Sequence, residues 1–294
     1  MAIDTPSADP NVGAGTTAAG SPPGATAELD PRRWWALAVL CLSLLLIVMD
    51  NTIVNVALPT IQEDLGATGS QLQWIVDAYV LVFAGLLLTM GSLGDRYGRK
   101  PALSLGLAIM GSASAISAWS SDPSQLIFWR AVMGIGGALI MPSTLSILTN
   151  VFTDHRERAR AIAVWAGTSG MAVAIGPVTG GWLLNHFWWG SVFLVNVPVV
   201  VVALVAGYKI IPNSKDPNPP ALDPLGALLS IVGLVTLVWA IIEAPDHGWT
   251  DSVTLTAFAI AAVLLIAFAI HEKRSDHPLL DVNFFRNPRF SAAS

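Results

Sequence analysis

Charged residues in this chain fall in clusters and leave long apolar runs between them. Uncharged stretches occupy Pro101–Ser121, Ala131–Thr153, Ala161–Asn185, Phe187–Tyr208, Pro224–Ile242 and Ser252–Ile270. Two further runs, Trp34–Pro59 and Leu72–Gly94, each carry one acid, Asp50 and Asp77. Each run is close to or above the roughly 18 residues that a helix needs to cross a bilayer. None shows the period-two alternation of a membrane strand. The pattern predicts an all-α integral membrane protein with eight transmembrane spans. Residues 1–31, made largely of Ala, Gly, Pro, Ser, Thr and Asp, lack the apolar content for a core and are expected to be a disordered tail. No basic segment followed by an apolar run precedes Trp34, so the first span is itself the targeting signal.

Composition agrees with this reading. The chain is 53% hydrophobic and 12% charged, about half the charged fraction of a soluble domain. Two soluble domains, which the length alone would allow, are thereby excluded. The net charge of −5 is less informative than its distribution. Of fifteen Lys and Arg, all but Arg130 lie before span 1, in every second loop, or after span 8: Arg32 and Arg33, then Arg96, Arg99 and Lys100, then Arg156, Arg158 and Arg160, then Lys209 and Lys215, and last Lys273, Arg274, Arg286 and Arg289. The alternate loops hold Glu63, Asp64, Asp122, Glu243, Asp246 and Asp251 and no Lys or Arg. The positive-inside rule then places the N-terminus and every second loop in the cytoplasm. Cys41, the single cysteine, lies inside the first span and is read as space-filling.

Three ionisable residues stand inside apolar runs: Asp50, Asp77 and Arg130. Burying each costs at least ~2.5 kcal/mol on insertion scales. Counting along the helices places them in one layer of the outer half of a bundle. One reading is a structural ion pair joining spans 1, 2 and 4. In the other, two acids facing one base leave a carboxylate without a full partner, and hydrocarbon favours its taking up a proton. That second reading is a sequence argument for proton handling.

The glycines suggest movement. "GSLGDRYGRKPAL" (Gly91–Leu103) ends span 2 and opens span 3. Gly91, Gly94 and Gly98 allow tight turning and close helix contact. Asp95 can accept from Arg96 or Arg99, and Pro101 suits a first helical turn. "IGPVTGG" (Ile175–Gly181) lies within span 5, where Pro177 removes a backbone hydrogen bond. Ala172, Gly176 and Gly180 form a small-residue face, which serves close packing, bending, or both.

Four segments in order carry a family resemblance. "LIVMDNTIVNVALP", "GSLGDRYGRK", "LIFWRAVMGIGGA" and "AVAIGPVTGG" resemble the helix-1, loop 2–3, helix-4 and helix-5 motifs of the major facilitator superfamily. Within it they are most similar to the 14-helix drug:proton antiporters of the EmrB/QacA type. "QLQWIVDAYVLVFAGLLL" resembles the quaternary-ammonium and multidrug resistance antiporters in particular. The resemblance implies proton coupling by Asp50 and Arg130, and recognition of a cationic substrate by Asp77, with Trp74 and Trp129 as candidate cation–π partners. It implies a cytoplasmic gate motif comprising Gly91, Gly94, Asp95, Arg96, Gly98, Arg99 and Lys100. It also implies an antiporter bend at Gly176, Pro177, Gly180 and Gly181. Ala172 departs from the glycine that usually begins the helix-5 motif.

The resemblance divides the chain into a cytoplasmic tail (1–31), an N-terminal six-helix half (32–212), two inserted helices (213–275) and a cytoplasmic linker (276–294). The linker leads toward a C-terminal half that transport requires and that the chain is expected to lack. The implied setting is a bacterial cell membrane, with the lipid bilayer, protons and small cationic drugs as partners. No nucleic acid partner, metal or cofactor is expected. His155, His186, His247, His271 and His277 form no ligand pair with Cys41, "GIGGA" lies inside an apolar span, and no phosphate-binding loop is present. An enzyme or ATP-driven pump is therefore not expected, and energy comes from the proton gradient. Two other readings stay open: an exporter of neutral or anionic metabolites, and a truncated, non-transporting membrane protein.

Overall fold

A computed structural model describes residues 32–217 and 223–275. The predicted tail at 1–31, the linker at 276–294 and residues 218–222 lie outside the described residues. The described residues are all-α, in the order α1 (Arg33–Leu65), α2 (Gly69–Tyr97), α3 (Arg99–Ser117), α4 (Pro123–Val151), α5 (His155–His186), α6 (Ser191–Leu194), α7 (Asn196–Ile210), α8 (Pro224–His247) and α9 (Ser252–Arg274). No strand occurs among them.

Seven segments, counting Ser191–Ile210 as one, are long and apolar enough to cross a membrane. The eighth predicted span, α3, is a helix of 19 residues. Arg99 and Lys100 in its first turn, and Ser104, Ser112, Ser114 and Ser117 along it, dilute its apolar content. The acids between spans have local work. Asp122, Asp154, Asp223 and Asp251 cap α4, α5, α8 and α9, each accepting from backbone N–H groups of the first turn. Thr68 and Gln71 form a reciprocal capping box at α2.

Several boundaries differ from the sequence reading. Helix α1 runs through Pro59 to Leu65, so Glu63 and Asp64 belong to its last turn rather than to a loop. Glu243 and Asp246 likewise lie within α8. The sixth span is broken at Val195 into α6 and α7. Pro198 has no N–H to donate to the Leu194 carbonyl, and its ring crowds that carbonyl.

Close helix approach is built on small residues. Gly134 of α4 sits where a Cβ would lie 2.6 Å from the Tyr79 carbonyl of α2. Gly136 and Gly106 face each other across α4 and α3, each leaving 2.8 Å from its would-be Cβ to the other's carbonyl. The "GIGGA" run is thus a packing surface for two neighbours of α4. Across the bundle, Ala172, Gly176 and Gly180 of α5 are buried, and the two glycines lie against Thr52, Ile53 and Val56 of α1. The predicted small-residue face is therefore the α1–α5 seam. Gly181 is not part of it: a Cβ there would meet nothing within 4 Å.

Helix α4 packs along α2 and α3, α1 along α5, and α7 against α3 and α1, while α1 also touches α4. Helices α8 and α9 pair with each other, and α8 leans on α2. That lean is close, because Ile231 occupies the space a Cβ on Gly85 would need.

Candidate functional site

Asp50 and Arg130 are both fully buried and meet at the centre of the bundle. Arg130 Nη1 donates to Asp50 Oδ2 at 2.5 Å. Arg130 Nε donates to the Ile75 carbonyl of α2 at 2.8 Å. The guanidinium carbon lies 4.5 Å from the centroid of the Tyr79 ring, also on α2. A guanidinium suits this seat because its donors form a planar fork and its face stacks on an aromatic ring. Burying such a pair loses hydration that only good geometry and added hydrogen bonds recover, and here the added bonds come from two other helices.

The second oxygen of Asp50 is held from α7. Asn196 Nδ2 donates to Asp50 Oδ1 at 2.7 Å and to Ser114 Oγ of α3 at 3.1 Å. Ser114 Oγ in turn donates to the Phe193 carbonyl at 2.8 Å. Three buried polar atoms at this centre have no partner among the described residues: Arg130 Nη2, Asn196 Oδ1 and Tyr79 OH. The centre therefore draws one polar side chain from each of α1, α2, α3, α4 and α7. Sequence reasoning found Asp50 and Arg130 but missed Asn196, Ser114 and Tyr79. An amide inside an apolar run, as in "FLVNVPVV", was the available signal.

Asp77 does not join this layer, which corrects the expectation of two acids facing one base. It lies two residues beyond Ile75, about 200° round the helix. Ile75 and Tyr79 are turned to Arg130 and are buried, whereas Asp77 sits among the exposed positions Gln73, Val80, Ala84 and Leu88. It is half-buried and makes no hydrogen bond or ion pair among the described residues. Trp74 is committed elsewhere. Its Nε1 donates to Glu243 Oε1 of α8 at 3.3 Å, which fastens the α2–α8 contact. Trp129 is half-buried, packs on the core and meets Phe128 edge to face at 5.1 Å. The structure thus does not gather Asp77, Trp74 and Trp129 into one cavity.

The gate motif is compact. Asp95 and Arg96 belong to the last turn of α2, and the only residue between α2 and α3 is Gly98. Gly98 has φ +119°, which a side chain would strain. Of the two arginines open to Asp95, the structure selects Arg99, whose Nε donates to Asp95 Oδ1 at 2.7 Å. Arg96 is exposed. Lys100 donates to the Tyr208 carbonyl at 2.8 Å and lies 5.2 Å from that ring's centroid. Gly91 and Gly94 face Pro142 and Ser143 of α4, with 3.3 Å from a would-be Cβ to each. The segment after α7, which sequence reasoning had treated only as a basic loop, straps this turn. Arg99 N donates to the Ser214 carbonyl and Asp216 N to the Asp95 carbonyl, both at 2.9 Å. At the same end, Arg33 pairs with Glu157 at 2.9 Å and joins the starts of α1 and α5. In the helix-5 motif Gly176 and Gly180 are buried, while Pro177 is exposed on the far side of α5.

Comparison with known proteins follows the same outline. The chain is 42% identical over 268 residues to the multidrug efflux pump LfrA of Mycolicibacterium smegmatis, covering 91% of this chain and 53% of that protein. It is 40% identical over 258 residues to the methylenomycin A resistance protein of Bacillus subtilis, covering 87% of this chain and 55% of the relative. The chain thus spans about half the length of the curated relatives it matches. Among solved structures, the POT family transporter PepTSo shares the fold, with a TM-score of 0.59 at 16% identity over 80% of this chain and 52% of that one. Residues 40–274 match the model of the Major Facilitator Superfamily. The chain is a multi-pass membrane protein that belongs to the major facilitator superfamily, a family of transport proteins rather than enzymes.

Proposed function

We propose that this chain is the N-terminal part of a proton-coupled multidrug antiporter of the 14-helix branch, exporting lipophilic and quaternary ammonium cations from a bacterial cell. The observation that carries this reading is the fully buried Asp50–Arg130 pair, which touches α1, α2 and α4 at once. Sliding α1 against α4 changes the distance between the two charges, and with it the ease of protonating Asp50. The energy source is the proton gradient, and no cofactor takes part. Arg130 keeps its seat on Ile75 and Tyr79 whichever state Asp50 is in. Alternating access needs a second six-helix half, with α8 and α9 as the inserted pair that leads to it. The names of the relatives support drug export, and the second half is the partner that this chain needs for transport.

The basic end, with Arg33, Arg99, Lys100 and Arg158, is assigned to the cytoplasm together with the N-terminus. In a Cys41→Ser background, Asp64→Cys and Trp249→Cys are expected to react with an impermeant maleimide added to intact cells, and Lys215→Cys is expected to stay unreacted. All three positions are exposed. Reaction at Lys215→Cys from outside would invert the topology.

Asp77 is assigned to the substrate. A half-buried carboxylate without an internal partner offers a negative charge to a bound cation, and the attraction grows with substrate charge. In inverted vesicles carrying this chain continued into its second half, Asp77→Asn should slow efflux of a dicationic dye on the order of tenfold more than that of a monocationic one. Equal effects on both would reject the cation role. That result would favour the second reading, export of a neutral or anionic metabolite. Efflux by the chain continued into its second half, set against the 294-residue chain alone, tests a third possibility, that of a non-transporting membrane protein.

A further inference from the structure

Asn196 is fully buried at the break between α6 and α7, where Pro198 has already cost the helix a hydrogen bond. Its amide nitrogen serves two acceptors, Asp50 Oδ1 and Ser114 Oγ, while its amide oxygen has none. A buried amide with an idle oxygen loses free energy in this orientation. The opposite orientation would bring that oxygen to the same two atoms. An ionised Asp50 excludes it, because a carboxylate accepts hydrogen bonds and donates none, whereas a protonated Asp50 admits it, the amide nitrogen then being the idle atom instead of the oxygen.

We propose that Asn196 is a positioning residue that follows the protonation state of Asp50 by turning its amide over. With Asp50 ionised, Nδ2 donates to the carboxylate, as observed. When a proton arrives, an O–H bond forms at Asp50 Oδ1, and the amide turns half a revolution about its last side-chain bond. Asn196 Oδ1 then accepts from the new Asp50 O–H. The Ser114 hydroxyl swings from the Phe193 carbonyl to donate to the same oxygen. No atom is gained beyond the one proton, and Arg130 stays charged on Ile75 and Tyr79. The other groups around Asp50 are Arg130 from α4 and Tyr79 from α2. The α5 face packed on α1 is made of Ala172, Gly176 and Gly180 and brings no charge. Asn196 thereby gives the neutral acid an acceptor and couples the proton to the α6–α7 break.

This inference rests on Asp50 being the group that takes up the proton, and one infrared experiment separates the two claims. The 294-residue chain in lipid nanodiscs is acidified, with aspartate carboxyl carbons isotope-labelled, and the carbonyl stretch of a protonated acid is followed. A band lost in Asp50→Asn marks Asp50. In Asn196→Leu that band should move to higher frequency, because the acid O–H has lost its acceptor. Ser114→Ala, which leaves the amide in place and is the milder change should Asn196→Leu fail to insert, should move it in the same direction by less. An unmoved band in every variant that inserts overturns the role of Asn196 and leaves the proton assignment standing. No Asp50 band in the wild-type chain overturns both.

Discussion

Replacing Asp50 with Asn in the transporter completed by its second half is expected to reduce proton-driven efflux of every substrate to background, with drug binding retained. The substitution keeps the shape and still offers an oxygen to Arg130 Nη1, which now donates to Asp50 at 2.5 Å. What it removes is, among the described residues, the one carboxylate in contact with Arg130, and with it the acid proposed to carry the proton. Drug binding is expected to persist, because Asp77, proposed above to meet the substrate, lies on the exposed stripe of α2 and does not contact this centre. The measurement is dye efflux from proteoliposomes under an imposed pH gradient, beside equilibrium dye binding to the same protein. Efflux at the wild-type rate would return Asp50 to the role of a structural partner for Arg130.

The largest stability effect is expected at Arg130. Arg130→Met leaves a carboxylate fully buried without its counter-charge, and breaking a buried pair from one side costs about 3–5 kcal/mol. Removing both charges, in Asp50→Leu with Arg130→Met, should recover most of that loss, because the desolvation of both ions disappears along with their attraction. About 1–3 kcal/mol should remain from the Asn196 amide, which would lose its strongest acceptor. Denaturant titration of the 294-residue chain in mixed micelles, run as a double-mutant cycle, measures the difference. A single Arg130→Met variant as stable as wild type would mean that Asp50 is relieved of its charge by a proton or reached by water.

The helices, the gate turn and the small-residue faces were legible in the sequence because each is written in local spacing. Hydropathy located α1, α2 and α4, the four-residue recurrence of Ala172, Gly176 and Gly180 found the face of α5 that packs on α1, and Gly91, Gly94 and Gly98 marked a turn that the structure puts at Gly98 alone. The partnership of Asp50 and Arg130 was legible because two ions inside apolar runs have few other places to go. Asp77 was misplaced because depth along a helix was read without angle. Ile75 and Asp77 differ by two residues and face opposite ways, and which side meets α4 is decided by Gly134 on another helix. Asn196 went unread because an uncharged amide does not interrupt a hydropathy run. Trp74 looked like a cavity aromatic because its partner, Glu243, was assigned to a loop; only the extension of α8 to His247 brings that carboxylate into reach. The strap after α7 was not foreseen because its contacts are backbone hydrogen bonds, which leave no side-chain signature.

Helix α2 touches several parts of the bundle at once. One side seats Arg130 through Ile75 and Tyr79, another is fastened to α8 through Trp74 and Gly85, a third presents Asp77, and its last turn holds the latch at Asp95. On the roles proposed above, a small twist of its 29 residues would reach the proton site, the drug-facing side and the gate together, as a camshaft does. Substitutions along it are bound to be pleiotropic. On that proposal, a change selected to admit a bulkier drug beside Asp77 is expected also to alter the timing of the proton and the gate, so that broadening of the drug range through α2 comes with altered turnover, whereas α9, which packs on α8 alone among the described helices, is expected to drift more freely.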